Sequence, residues 1–378
     1  MDGALRGRGK LVTYDRNMAS LREVARRAGV SVATASRVAN GSLAVAPATR
    51  DRVERAMREL LYVPPGRRSE TGLIGILVPE LANPIFPALA QAIETRAAPD
   101  GLASILCNTG EAAFREVDYV HMLLDRRVEG MIFICCEMTN LRGEHGHYLQ
   151  LADEGARIVF VNGAIHTLDV PSVGVDERAA GEIATQYLLE LGHERIGFVA
   201  GPEHYLPTQL KAAGRATALA GAGIDGDGLV AYAEFSTEGG GRALEELLAK
   251  PDPPTGVICS SDMMAIGALH AAARLGLRVP DDLSIVGFDG IDATKWTVPE
   301  LTTVEQPIAQ IADTAVQTLQ TLIEQPGRAL PSSYFRPTLR VRASAGKPRH
   351  ARSRTSAPSR TTAEPVSTSS STTTFPRV

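Results

Sequence analysis

The sequence predicts a small all-α unit followed by a larger α/β unit, in which doubly wound parallel sheets are covered by helices on both faces. Between Leu73 and Arg342, short and continuously apolar runs alternate with amphipathic stretches of helical period. This alternation is typical of buried parallel strands joined by covering helices. The predicted strands are 73–79, 104–109, 130–136, 157–162, 195–201, 256–262 and 284–290. The predicted helices are 84–98, 114–127, 177–191, 208–220, 240–249, 263–275 and 308–324.

The two ends of the chain lack these patterns. Residues 1–17 are rich in Gly and Arg without periodicity, so we expect a disordered leader or a true start at Met18. From Ser344 onward the chain is rich in Ser, Thr, Pro and Arg and has few apolar side chains to bury. We therefore expect a disordered tail over residues 344–378.

The composition favours a soluble, cytoplasmic protein with no membrane partner. Hydrophobic residues make up 44% and charged residues 22% of the chain. No apolar run approaches the roughly 20 residues that a membrane span needs. The first residues lead into no apolar segment of the kind found in a secretory signal, so export is not expected.

The net charge of −4 is unevenly distributed along the chain. Residues 1–68 hold 14 basic and 6 acidic side chains, a net charge of +8. Residues 69–346 carry −17 and residues 347–378 carry +5. A basic N-terminal unit on an acidic body suggests contact with a polyanion, although an ordinary solvated surface would also permit it.

The segment LREVARRAGVSVATASRVANGS (21–42) predicts two short helices joined by a turn at Gly29. Ser31 can cap the second helix. The apolar stripe of the first helix consists of Leu21, Val24, Ala25 and Ala28. The inward side chains of the second are predicted to be Val32, Ala35 and Val38. A third helix over 48–60 carries Arg50, Arg52, Arg55 and Arg58.

This geometry is that of a helix-turn-helix, and with the basic charge it favours DNA binding over a generic three-helix bundle. The start of the second helix then lies in the major groove of double-stranded operator DNA. Arg37 can contact a guanine, whereas Val32 and Ala33 offer apolar contacts to a thymine methyl. Short polar side chains suited to phosphates are Ser31, Thr34, Ser36 and Asn40.

In these helices and in several later segments, the chain resembles the LacI/GalR family of bacterial repressors. The resemblance rests on SLREVARRAGVSVATASRVANGS and TRDRVERAMRELLYVP, and continues through NPIFPAL, RRVEGMIF, LLELGHERIGFVAGP, SDMMAIGAL, VPDDLSIVGFDG and PELTTVEQP. It covers roughly residues 19–343. It implies a homodimer on a pseudo-palindromic operator and a two-lobed, periplasmic-binding-protein-like sensor, built on two doubly wound parallel sheets, that closes on an effector.

The implied domains are a helix-turn-helix unit at 18–64, a hinge at 65–72 and an effector-binding domain at 73–343. Its N-terminal lobe would comprise about 73–175 plus 306–330, and its C-terminal lobe about 176–305 plus 331–343. The hinge departs from the family pattern, because PGRRSETG is several residues shorter and lacks the Leu that wedges into the minor groove. We expect operator binding that is weaker, less bent or less tightly coupled to the effector than is usual in the family.

By the same resemblance, the effector-contacting residues are Asn83, Phe86, Asp176, Lys211, Phe235, Ser261 and Asp289. For Asp176 a helix N-cap is an equally good interpretation. Lys211 and Ser261 stand where many relatives have Arg and Asn, which changes the hydrogen bonds offered to the ligand. A sugar or sugar derivative is the expected effector, and a nucleoside or purine is the lesser option.

Other motifs point to no metal, no cofactor and no enzyme. The thiols of Cys107, Cys135, Cys136 and Cys259 match no zinc or redox spacing and are expected to be inert. GAGIDG (221–226) does not open a helix after a strand, and His145 and His147 are expected in a surface turn. The alternatives are a solute-binding protein of a sugar transporter, or a sugar-processing enzyme with an acid/base pair in the cleft.

Overall fold

The computed structural model describes residues 20–39, 45–60, 71–110, 113–226 and 228–349, apart from the side chains at 58, 113 and 114. The predicted leader, most of the predicted hinge and the tail beyond residue 349 lie outside this part of the chain. No helix of the described residues is long and apolar enough to cross a membrane.

Three helices form the N-terminal unit: α1 (Leu21–Ala28), α2 (Val32–Ala39) and α3 (Pro47–Glu59). α1 begins with a capping box, in which the Ser20 hydroxyl accepts from the Glu23 amide and the Glu23 carboxylate accepts from the Ser20 amide. Gly29 ends α1 with φ of 64°, a left-handed conformation that favours glycine. The small shared core consists of Val24, Ala25, Ala28, Ala35, Val38, Val53 and Ala56.

The first sheet of the α/β unit has six parallel strands. In chain order they are β1 (Leu73–Val78), β2 (Ala103–Asn108), β3 (Gly130–Ile134), β4 (Ile158–Val161), β5 (Ser172–Val175) and β11 (Ser333–Phe335). Their order across the sheet is β2-β1-β3-β4-β5-β11. The associated helices are α4 (Ile85–Ala97), α5 (Ala113–Asp125), α6 (Gly146–Asp153) and α11 (Ile308–Glu324).

The second sheet repeats this plan. Its strands are β6 (Ile196–Ala200), β7 (Val230–Tyr232), β8 (Gly256–Cys259), β9 (Ser284–Asp289), β10 (Thr302–Glu305) and β12 (Thr338–Arg340). They are ordered β7-β6-β8-β9-β10-β12, and β12 alone is antiparallel to its neighbour. The helices of this lobe are α7 (Glu177–Glu190), α8 (Leu206–Gly221), α9 (Thr237–Leu248) and α10 (Asp262–Arg274). The predicted class of two doubly wound parallel sheets is confirmed.

The chain crosses between the sheets three times: after β5, after β10 and between β11 and β12. We expected 331–343 to belong to the second lobe, but Ser333–Phe335 pairs with β5 in the first sheet. The third crossing therefore lies between Phe335 and Thr338. The Asp176 amide donates to the Phe335 carbonyl over 2.8 Å, so two of the crossing segments are hydrogen-bonded to each other.

The expected start of the disordered tail at Ser344 is wrong. Ser344 is fully buried, its hydroxyl donates to the Ile285 carbonyl over 2.6 Å, and it accepts from the Thr302 amide over 2.8 Å. His193 Nε2 lies 2.9 Å from the Gly346 carbonyl oxygen. The Ser and Gly of this segment have little apolar surface, so the hydrogen bonds to the second sheet hold it in place.

Two predicted strands end two or three residues earlier than expected, and the other five end one residue earlier. β3 stops at Ile134 because Cys135 turns the chain with a φ of 47°. β8 stops at Cys259 because Ser261 caps α10 and Asp262 begins that helix. The sequence patterns also missed strands β5, β7, β10, β11 and β12, each of only three or four residues. Runs this short give too few positions for a periodicity to be recognised.

Candidate DNA-reading surface and effector cleft

The second helix of the N-terminal unit presents an exposed edge. Ser31 precedes α2, and its hydroxyl accepts from the Thr34 amide over 3.1 Å. Ser31, Ala33 and Arg37 are exposed, while Thr34 and Ser36 are half-buried. Val32 is 44% exposed and so does not face inward with Ala35 and Val38 as expected. It stands at the first position of α2, outside the part of the helix that packs in the bundle.

The rest of the N-terminal unit supports this edge. Val53 and Ala56 of α3 are buried against the other two helices, whereas Arg52 and Arg55 are exposed. Arg27 of α1 forms an ion pair of 2.7 Å with Glu59 of α3, which fixes the two helices to each other at the surface. Asn40, predicted to contact phosphates, lies outside the described residues, as do residues 65–70 of the predicted hinge.

A cavity of about 700 Å³ lies where the carboxyl ends of the strands of both sheets meet. This is the position at which ligands bind in open α/β sheets. Six of the predicted effector residues line the cavity: Asn83, Phe86, Lys211, Phe235, Ser261 and Asp289. Lining residues that the sequence patterns missed include Glu116, Glu137, Glu177, Tyr205, Phe288 and Gln306.

Asp176, the seventh predicted residue, is not among the lining residues described. Its carboxylate accepts from the Ala179 amide over 2.9 Å and caps α7. This is the N-cap role that its position before a helix predicts as the alternative to ligand binding. The next residue, Glu177, faces the cavity instead. Ser261 also caps a helix, accepting from the Met264 amide over 3.2 Å, but it lines the cavity as well.

Lys211 and Glu177 form a buried ion pair, with Nζ and Oε2 2.5 Å apart. The Lys211 ammonium also lies 3.9 Å from the centroid of the Phe288 ring, a cation–π contact. Burial raises the pKa of the Glu177 carboxyl, and the attraction of Lys211 opposes that rise. The ammonium is therefore already neutralised inside the protein.

Close packing of α7 on α8 places this ion pair. A Cβ at Gly181 of α7 would overlap the Lys211 carbonyl oxygen, and a Cβ at Gly214 of α8 would overlap the Arg178 carbonyl oxygen. Only glycine fits at both positions, so the two helix backbones touch. The side chains of Glu177 and Lys211, near the first turns of these helices, are thereby brought together.

Asp289 terminates β9 in an uncommon conformation for a non-glycine residue, with φ of 126°. Asp262 supports this turn, since its carboxylate accepts from the Gly290 amide over 2.7 Å, the Ile291 amide over 2.9 Å and the Thr303 hydroxyl over 2.6 Å. Burial raises the pKa of Asp262 to about 6. Burial also raises the pKa of Asp289 well above its usual range.

A chain of hydrogen bonds joins Asp289 to the first lobe. Gln306, on the crossing after β10, donates to Asp289 Oδ1 over 2.8 Å. Its carbonyl oxygen accepts from Asn162 Nδ2 over 2.8 Å. Asn162 Oδ1 in turn accepts from the Val175 amide over 2.9 Å. This chain of hydrogen bonds therefore joins residues of both lobes.

The expectation of a surface turn at His145 and His147 is wrong for His147, whereas His145 lies in the loop that precedes α6. His147 lies in α6, and its Nε2 is 2.9 Å from Glu116 Oε1. The hydroxyl of buried Tyr148 donates to the same oxygen, and Glu116 Oε2 accepts from the Glu137 amide over 3.1 Å. Glu116 is 2% exposed and is thus a fixed acceptor at the cavity wall. The sequence patterns missed this group because its members are far apart along the chain.

The two lobes also touch at this part of the cleft. The Leu141 amide donates to the His204 carbonyl over 2.8 Å, and Asn140 and Tyr205 form an isolated antiparallel bridge. Asn140 Nδ2 donates to Glu137 over 2.9 Å. The rings of Tyr205 and Phe235 pack edge to face with centroids 6.0 Å apart. The backbones of the two lobes are therefore in direct contact at this edge of the cleft.

The four cysteines are free, and all but Cys135 are buried. Burial raises the pKa of the Cys107 thiol to about 11, so it is protonated and unreactive at neutral pH. Cys135 Sγ lies 3.7 Å from the Asn162 carbonyl oxygen, whereas Cys136 Sγ lies 3.4 Å from that of Leu77. The two adjacent thiols thus point to different places. Across the described part of the chain, no group of three or more His, Cys, Asp or Glu side chains is placed to hold a metal ion.

A helix-turn-helix with an exposed second helix, followed by two α/β lobes around a ligand-sized cavity, defines a DNA-binding regulator with a sensor domain. The family profile "Bacterial regulatory proteins, lacI family" matches residues 20–65. The profile "Periplasmic binding protein-like domain" matches residues 185–345.

Similar proteins support the same class. The transcriptional regulator MalR of Streptomyces coelicolor is 39% identical over 334 residues, which cover 86% of this chain and 96% of MalR. The complex of the transcriptional regulator CelR with cellobiose has a TM-score of 0.67 and 29% identity, over 86% of this chain and all of that one. The Lac repressor dimer bound to operator and an anti-inducer has a TM-score of 0.65 and 27% identity, over 87% and 99% of the two chains.

The chain therefore belongs to the LacI family of bacterial transcriptional regulators. Its function is that of a DNA-binding regulator with a periplasmic-binding-protein-like sensor. The alternative of a solute-binding protein for transport is not supported. The N-terminal unit matches the profile of bacterial regulators, and the regulator MalR is matched over 96% of its length.

Proposed function

We propose that this protein is a repressor, and that a sugar bound between the two lobes controls its affinity for operator DNA. The observation that carries the proposal is the cavity of about 700 Å³ that combines aromatic rings with fixed carboxyl and amide groups. Aromatic faces pack on the C–H faces of sugar rings, while carboxyl and amide groups bind hydroxyls. The similarity to the CelR–cellobiose complex supports the same ligand class.

For the DNA side, we propose that Arg37, Val32 and Ala33 reach base edges in the major groove. Their exposure on α2 supports this role. Ser31, Thr34 and Ser36 would contact phosphates, as predicted for Asn40 too. The similarity to the operator-bound Lac repressor dimer supports a homodimer on a two-fold operator and a cytoplasmic location, where the chromosome lies.

For the sensor, we propose that Asn83, Phe86, Lys211, Phe235, Ser261 and Asp289 contact the effector. Asp176 is left out because its carboxylate already caps α7. We also propose that the protein binds its ligand without chemical turnover. The buried carboxyl groups have structural partners that explain their presence, since Glu177 is paired with Lys211 and Asp289 accepts from Gln306.

Selection of duplexes from a random pool by the purified full-length chain tests the DNA side. We expect a pseudo-palindromic sequence to be enriched and to bind at least about 1,000-fold more tightly than a scrambled duplex of equal composition, at one fixed salt concentration. Equal affinity for both duplexes would overturn the proposal. The sensor side is tested by the thermal unfolding midpoint in a panel of sugars, because a ligand of the folded state raises that midpoint.

A further inference from the structure

The charges around the cleft restrict its ligand beyond the general class of sugars, and the inference below rests on the function proposed above. Six acidic side chains line the cavity: Glu80, Glu116, Glu137, Glu177, Glu234 and Asp289. Among the lining residues that the structure describes, Lys211 is the one lysine or arginine, and it is paired with Glu177. An anionic ligand entering this cleft would meet carboxylates without gaining an unpaired cation.

The acidic side chains are also held as acceptors for neutral hydroxyl groups. Glu116 receives three contacts, from His147, Tyr148 and the Glu137 amide, and these fix its orientation. Glu137 accepts from Asn140, and burial raises the pKa of its carboxyl. With internal partners in place, these groups do not need a cationic ligand. They are suited to accept hydrogen bonds from O–H donors.

The cleft also has two separate polar ends. At the crossover end, Asn162, Gln306 and Asp289 form the chain that joins the lobes. At the edge end, Glu116 and Glu137 follow strands β2 and β3, and Tyr205 follows β6. β2 is the edge strand of the first sheet, on the side opposite the crossings. Polar groups at both ends provide for a ligand that spans the cleft.

The size of the cavity agrees with such a ligand. A volume of about 700 Å³ lies well within the range of roughly 300–1,000 Å³ found for ligand pockets. Pockets in this range enclose ligands of drug size, and two linked sugar rings fall within that size class. A single ring would leave one polar end of the cleft without a ligand group.

We propose that the effector is an uncharged sugar of at least two linked rings, that Glu116 and Glu137 bind its second ring, and that the cleft excludes phosphorylated and acidic sugars. Lys211 contributes no charge to ligand binding, because Glu177 already neutralises it. The ion pair of Lys211 and Glu177 is then the feature that determines selectivity for charge, and Glu116 with Glu137 determines selectivity for length.

Isothermal titration calorimetry on the full-length protein tests this proposal at fixed ionic strength. The panel consists of maltose, cellobiose and trehalose, the single rings glucose and glucosamine, and the anions glucose 6-phosphate, glucuronate and trehalose 6-phosphate. We expect a neutral two-ring sugar to bind at least about ten-fold more tightly than glucose or any anion. If a single ring, an amino sugar or an anion binds most tightly, this inference is wrong while the proposed sugar-controlled repressor stands. If no member of the panel binds, both are wrong.

Variants separate the two parts of the proposal. Glu177→Gln leaves the Lys211 ammonium uncompensated, so glucose 6-phosphate and trehalose 6-phosphate should gain affinity by about ten-fold relative to their neutral counterparts. Glu190→Gln, an exposed position on the same helix, is the matched control and should leave the ratio unchanged. An unchanged ratio in folded Glu177→Gln protein would refute the role of the ion pair.

Glu116→Gln should weaken binding of the two-ring sugar by about ten-fold and leave glucose affinity within two-fold of wild type. Glu137→Gln provides a second variant at the same end of the cleft, in case Glu116→Gln does not fold. If these variants lose affinity equally for one-ring and two-ring sugars while their unfolding midpoints stay normal, the proposal that these residues bind the second ring is wrong.

Discussion

The N-terminal unit and the sensor present their functional groups in opposite ways. Around α2 the candidate DNA-contacting side chains stand on an exposed edge, above a core of small alanines and valines. In the sensor, the candidate ligand-contacting groups are buried, and several are ionisable: Lys211 is 4% exposed and Asp289 is also 4% exposed. Buried ionisable groups need partners, whereas exposed ones need only water. We therefore expect substitutions in the sensor to affect stability, and those on α2 to affect binding alone.

The largest effect is expected for Lys211→Met in the sensor. Removing the ammonium leaves Glu177 buried without its partner, which typically costs about 3–5 kcal/mol in free energy of unfolding. The loss should grow as pH rises, because the charged form of Glu177 is the one that is penalised. Urea denaturation at several pH values measures it. The double variant Lys211→Met with Glu177→Leu should recover most of the loss, and a single variant as stable as wild type would contradict the account.

Arg37→Ala should show the opposite behaviour. We expect a loss of about 1–3 kcal/mol in operator binding, roughly five- to 150-fold in Kd, with the unfolding midpoint unchanged. The control is Arg274→Ala. Arg274 is also exposed but lies on the second lobe, so this variant should leave operator affinity within two-fold of wild type. Fluorescence anisotropy at one salt concentration gives both values. If the two variants bind equally well, Arg37 has no part in reading DNA.

His193 tests how strongly the sensor depends on buried neutral groups. Its ring nitrogens contact the Thr255 and Ser284 hydroxyls and the Gly346 carbonyl. Burial lowers the pKa of His193, so below about pH 6.5 the unfolded chain binds the proton more readily than the folded one. Stability should fall as pH drops through this range. His193→Gln should cost about 1–3 kcal/mol at pH 8 and give a shallower pH dependence. Parallel pH profiles would contradict this role.

The smallest effects are expected in the N-terminal unit. Ser20→Ala removes one half of the capping box and should cost about 1 kcal/mol of the stability of that unit. Arg27→Ala, which removes an exposed ion pair with Glu59, should cost less, under about 1 kcal/mol. Hydrogen exchange of α1 amides reports both. A larger loss for Arg27→Ala than for Ser20→Ala would reverse our view of what holds this unit together.

The same contrast explains how much the sequence could predict. The helix-turn-helix follows from local periodicity, a capping serine and a turn glycine, and all of these lie within the short segment 21–42. Asn83, Ser261 and Asp289 could be predicted because both the resemblance and the ends of predicted strands point to them, whereas Lys211 follows from the resemblance alone. These features depend on nearby residues, and the structure places them in the cleft as expected.

What sequence patterns could not supply depends on pairings between distant parts of the chain. His147 and Glu116 are separated by 31 residues and meet only because α6 packs beside the start of α5. Asn162 and Gln306 are 144 residues apart and are joined by a chain crossing. Asp176 and Glu177 are neighbours, and capping decides which of them faces the cavity. For Glu116, the sequence offered one signal of a place near the cleft: it stands in the first turn of α5, the helix that follows β2.

The linkage between sugar and operator tests the central claim most directly. Operator affinity of the full-length protein should be measured by fluorescence anisotropy, with and without a sugar at saturating concentration. The sugar is one that calorimetry has shown to bind. The account predicts a change of about five-fold or more in wild-type Kd for operator. In Asp289→Asn, it predicts normal operator affinity without sugar and no response to it. Equal operator affinities for wild-type protein with the sugar bound and with it absent would contradict the account.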